Sequence, residues 1–152
     1  MESVQKPTVK KLNVILERTF DAEKGFAKAA QDCKARSLAR WFNDRALDRS
    51  RFAQELKSEI HSLGGENIDT GSLKGDVHRA WMDIKALFSG DDNEAVLDEV
   101  LKGEKSALRE YEEILKEGGL PATTEAMLNS QMAQIDYGLV LLSSLKELEF
   151  GK

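Results

Sequence analysis

Apolar residues return at three- and four-residue steps along four long segments of the chain, the spacing of an amphipathic helix that buries one stripe. The first stripe runs Val9, Leu12, Leu16, Phe20, Ala27 and Ala30, and Pro7 sits where its fixed φ and missing N–H suit a first helical turn. A second helix is expected from about Ser37, carrying Leu38, Trp41, Phe42, Phe52, Leu56, Ile60 and Leu63 up to a stop at Gly64-Gly65. The third starts near Asp91-Asp92, whose charges suit a helix amino end, and carries Leu97, Val100, Leu101, Leu108, Tyr111 and Leu115 to Gly118-Gly119. The fourth opens at Pro121 and runs through Leu128, Ile135, Leu142 and Leu145. Short turns within each pair predict two antiparallel hairpins, while residues 64–90 between the pairs are far longer than an ordinary bundle loop. In that stretch Val77, Trp81, Ile84 and Phe88 recur at helical steps, so a short amphipathic helix should travel along the outside of the bundle. Two hairpins joined by one long crossover predict an all-α, ferritin-like four-helix bundle.

Composition narrows the picture. The 152 residues suit a single domain over 1–152, with 41% hydrophobic and 32% charged residues and only two prolines. Acidic and basic residues are interspersed and the net charge is -5, which offers no basic face for phosphates and argues against nucleic acid. The amino end has no apolar run resembling a signal peptide, and no segment reaches membrane-span length, so no membrane and a cytoplasmic location are expected. Cys33 is the single cysteine; it excludes an intramolecular disulfide and reads as a small buried hydrophobe.

The runs Asp21-Ala22-Glu23-Lys24-Gly25-Phe26, Leu63-Gly64-Gly65, His78-Arg79-Ala80-Trp81-Met82-Asp83-Ile84-Lys85 and Gly103-Glu104, followed by Tyr111, resemble an uncharacterised bacterial ferritin-like family, a domain of unknown function. The crossover pattern His-Arg-x-Trp-x-x-x-Lys after a Gly-Gly stop is its most specific piece, since a generic bundle has no need of it. The resemblance implies architecture and hints at a stress setting; it does not license iron chemistry.

A ferritin-like di-iron centre needs a glutamate from each of two helices and Glu-x-x-His from the other two. The two histidines, His61 and His78, follow Ser58 and Gly75 at that spacing, so the signature is absent. What remains is a set of polar residues within the apolar stripes: Glu23, Arg45, Arg49, Glu104 and Gln131, all near mid-helix and expected as a central polar layer. Three readings stay open: the arginines neutralise the carboxylates, the carboxylates hold metal, or these residues turn to solvent. Under the metal reading Glu23 and Glu104 bridge iron or another divalent metal, with Asp48, Gln131 or a second chain completing the set. Arginine, whose charge cannot be removed near neutral pH, argues against it. The acidic run Asp91-Asp92-Asn93-Glu94 lacks the pattern of a calcium loop and reads as capping.

His78, Trp81 and Met82 mark a possible interaction face on the crossover helix. Trp41, Met132, Tyr137, Leu139 and Leu141 lie off the inward stripes and ask for cover, which predicts a homodimer through the crossover face. The expected function is therefore a non-catalytic bundle with a structural or interaction role and no cofactor; the alternative is a carboxylate-bridged di-iron storage or oxidation protein.

Overall fold

The computed structural model of the chain describes residues 5–68, 75–90 and 92–150, with the side chains of 75–80 and 150 outside the description. Its elements are α1 (Lys6–Asp32), α2 (Arg36–Ser62), α3 (Gly75–Ser89), α4 (Asn93–Glu117) and α5 (Ala122–Phe150). Local chemistry sets the ends. Pro7 occupies the first turn of α1, and Cys33 turns extended at ψ 127° to end it. Gly64 takes φ 82° after α2, and Gly118 and Gly119 take φ 75° and 74° after α4, the left-handed conformation that only glycine enters without strain. The Asp92 side chain accepts from Ala95 N at 3.1 Å and caps α4.

Three residues link α1 to α2 and four link α4 to α5, so each pair folds back as a hairpin. The hairpins meet through α2 with α5 and α1 with α4, closing the four long helices into a ring, and α3 packs on α1 and α4. Cross-links give the directions. Trp41 to Gly138, Phe52 to Gln131 and Glu59 to Thr124 run in opposite senses along α2 and α5. Lys11–Glu117 and Arg18–Glu110 do the same for α1 and α4. Every neighbouring pair in the ring is thus antiparallel, α2 and α4 lie diagonally and point the same way, and the chain between them must travel the length of the bundle. At about 1.5 Å per residue a 27-residue helix is about 40 Å long, which accounts for the long crossover.

The core falls into two apolar clusters. One gathers Phe26, Leu38, Trp41, Phe42, Ile84, Val96, Leu97, Val100 and Leu142. The other gathers Leu12, Ile15, Leu16, Phe52, Leu56, Ile60, Leu128 and Ile135 around Tyr111. Trp41, expected off the stripe, is instead 3% exposed, with Nε1 donating to Gly138 O at 2.9 Å. α2 faces α1 on one side and α5 on the other, so its buried side is wider than a single stripe. Leu139 is likewise buried, Met132 and Leu141 are half-buried, and only Tyr137 of that set is exposed. Among the described residues no helix is long and apolar enough to cross a membrane.

Candidate functional site

Arg45 and Arg49 stand one turn apart on the buried side of α2, between the two clusters. Arg49 reaches across the bundle's diagonal to Glu104 of α4, its Nη1 donating to Oε2 at 2.9 Å and its Nη2 to Oε1 at 2.7 Å. The pair is 3% and 4% exposed. The rings of Phe26 and Phe52 lie 5.3 and 5.9 Å from the guanidinium carbon, sheathing the cation with π faces. Burial works against the charge of Arg49, but Glu104 outweighs it and holds the guanidinium above its ordinary value. Two charges at this depth are tolerable because each neutralises the other through a bidentate fork.

Gln131, fully buried on α5, extends this layer. Its Oε1 accepts from Tyr111 Oη at 2.7 Å and its Nε2 donates to Glu55 Oε1 at 2.9 Å and to Phe52 O at 3.5 Å. Burial pushes the Tyr111 phenol up, opposed by Arg49 and by a hydrogen bond with Thr19, so the phenol stays neutral. Tyr111 follows Glu104 by seven residues, two helical turns on the same face; that spacing was the available signal for its place in the layer.

Arg45 takes a different partner. Its Nε donates to Asp48 Oδ2 at 3.0 Å, and its guanidinium lies 5.4 Å from the centre of the Trp41 ring. Asp48 also accepts from Arg51 at 3.3 Å, and Arg51 donates to Gln134 of α5. Arg45 therefore belongs to the seam between α2 and α5, where a Cβ on Gly138 would stand 3.0 Å from Arg45 Cδ. Glu23 is only half-buried, and the deeply buried acid of α1 is Asp21, at 1% exposure. The cause is α3: Trp81 lies over Gly25, so in the second half of α1 burial turns toward Asp21, Gly25 and Ala29 and away from Phe20, Glu23 and Ala27.

The proposed metal set of Glu23, Glu104 and Asp48 is not assembled. Both oxygens of Glu104 are taken by Arg49, both oxygens of Asp48 by Arg45 and Arg51, and among the described residues no three His, Cys, Asp or Glu side chains converge. On the crossover, Trp81 is half-buried, edge-on to Phe26 at 5.3 Å, while Met82 is 51% exposed. The His78 side chain lies outside the described residues.

No curated protein matches the chain. Residues 7–117, from the first turn of α1 to the end of α4 and including both Arg49 and Glu104, match the family described as a domain of unknown function (DUF2383), and the chain belongs to that family.

Proposed function

We propose that this protein is a non-catalytic helical bundle of ferritin-like architecture that acts by association, and that its partner is a second copy of itself joined through the outer side of α5. The observation that carries the reading is that outer side. Tyr137, Val140 and Leu148 are 62%, 57% and 82% exposed, and they recur at helical steps along one stripe. From Ala126 to Leu145 the chain contains a single charged residue, Asp136. Large apolar side chains exposed along one stripe of a helix, set among small and polar neighbours such as Ser130, Ser143 and Ser144, mark a surface that asks for cover. A twofold axis closes such a stripe on itself, with the charges of Asp136, Glu147 and Glu149 at its margins.

The ring of antiparallel neighbours with one long crossover supports the ferritin-like assignment. The polar layer supports the absence of iron chemistry: the carboxylate that would bridge metal is locked to a guanidinium whose fixed charge repels a divalent cation. The crossover face favoured by the sequence is the weaker candidate, because Trp81 is turned into the bundle and of the described side chains Met82 stands out.

Sedimentation at micromolar concentration tests the proposal. The expected mass is twice 17.0 kDa, falling to one copy in Tyr137→Glu/Val140→Glu with helicity retained. A wild-type mass of 17.0 kDa, or a dimer that survives both glutamates, would sink it.

A further inference from the structure

α1 and α4 touch least of the neighbouring long helices, and between them, at the edge of α3, lies a cavity of about 280 Å³. Its walls include Phe26, Trp81, Ile84 and Val100, and its floor is the Arg49–Glu104 pair. At the opening Arg18 and Glu110 form an ion pair of 3.2 Å.

The glycines within the described helices separate into two kinds. A Cβ on Gly25 would fall 1.9 Å from the Trp81 ring, and one on Gly138 would press on Arg45, so neighbours demand both glycines. Gly103, in the middle of α4 and on the cavity wall, has no heavy atom within 4 Å of where its Cβ would be. Glycine weakens a helix interior relative to alanine, and no packing contact accounts for its presence here. Gly103 is exposed, so it lies at the rim of the cavity, and a side chain there would stand beside the opening.

We propose that this cavity is a binding site for an uncharged, flat aromatic molecule of about two rings that carries a hydrogen-bond acceptor. Size sets the first limit: an enclosed apolar cavity of roughly 150 Å³ takes benzene, and this one is nearly twice as large. Phe26 and Trp81 supply ring surfaces. Arg49 supplies donors, since a guanidinium carries five N–H groups and the fork to Glu104 uses two. Charge sets the last limit, because the floor is already neutral as a pair. An anion would compete with Glu104 for Arg49, and a cation would face Arg49 itself. The site is separate from the α5 stripe, and neither proposal depends on the other.

Calorimetric titration of the full chain tests the assignment with three probes: coumarin, a neutral two-ring lactone; indole, neutral and two-ringed but without a carbonyl acceptor; and coumarin-3-carboxylate, its anion. Coumarin is expected to bind with Kd on the order of 100 μM, several-fold tighter than indole, with the anion weakest. Gly103→Leu sets a bulky side chain at the rim of the opening and is expected to weaken coumarin at least roughly tenfold while helicity and melting temperature hold or rise. Absence of binding at about 1 mM coumarin, coumarin affinity unchanged by Gly103→Leu, or an order in which the anion or indole equals coumarin overturns the proposal. A change in sedimenting mass in Gly103→Leu would also overturn it, because the cavity would then be filled by a second copy.

Discussion

Replacing Arg49 with methionine keeps much of the side-chain length and removes the charge that Glu104 needs. At 4% exposure the carboxylate cannot recover its lost partner from water, and its two hydrogen bonds to the guanidinium go with it. Breaking one side of a buried pair leaves an uncompensated charge and costs about 3–5 kcal/mol. Arg49→Met/Glu104→Leu removes both charges and is expected to lie within about 1–2 kcal/mol of wild type, because apolar groups of similar volume can replace a buried pair. Glu104→Leu alone strands a guanidinium that cannot deprotonate and is expected to cost as much as Arg49→Met. Denaturant melts of the three variants at pH 7 are the assay, with Arg45→Met, whose partner Asp48 is partly exposed, as a milder control. Equal, small losses in Arg49→Met and the double variant would refute the reasoning.

Three further outcomes follow from single positions. Gly103→Ala is expected to raise stability by up to about 1 kcal/mol in thermal melts, since the new methyl meets nothing within 4 Å and the helix gains propensity. Gly25→Ala is expected to destabilise and to red-shift tryptophan emission, because its methyl would drive the Trp81 indole off Phe26. Cys33 is 8% exposed and burial pushes its thiol up, against a weaker opposing effect of its contact with Ala35 O at 3.6 Å. A disulfide reagent at pH 8 should therefore modify it slowly in the native protein and rapidly in denaturant; immediate native reaction would contradict the burial.

Helix positions were legible because their stops are local: Gly64, Gly118 and the Asp92 cap act through their own backbone and need no tertiary knowledge. The polar layer was legible as residue types but not as pairs. Arg45 and Arg49 share one face of α2, and periodicity alone does not choose between them. Gly138 chooses, by letting α5 come close enough to hold Arg45 in the seam with Asp48. Glu23 misled for a related reason: a stripe predicts the buried face only while the neighbours stay the same, and α3 joins α1 partway along its length. α5 carried the least information. Its stripe of Leu128, Ile135 and Leu142 is buried as read, but apolar residues also lie off that stripe, so Leu139, which is buried, and Tyr137, which is exposed, look alike in the sequence.

The ion pair has a consequence for register that the apolar clusters lack. Within each hairpin a link of three or four residues fixes how the helices align. Between hairpins the covalent connection runs from the end of α2 to the start of α4, too long to set an alignment. Leucine, isoleucine and valine contacts are non-directional, and sliding one hairpin past the other by a helical turn, about 5.4 Å, would exchange many of them for equivalents. The same slide would set Arg49 opposite the level of Val100 or Leu108 and strand two buried charges, at several kcal/mol. The bonds from Gln131 to Phe52 O and Glu55 would break as well. These directional contacts join α2 to α4 and α2 to α5, which is to say one hairpin to the other. The polar layer therefore contributes less to net stability than to the choice of one alignment, and that alignment also brings Arg49 of one hairpin to the floor of the cavity beside Glu104 of the other.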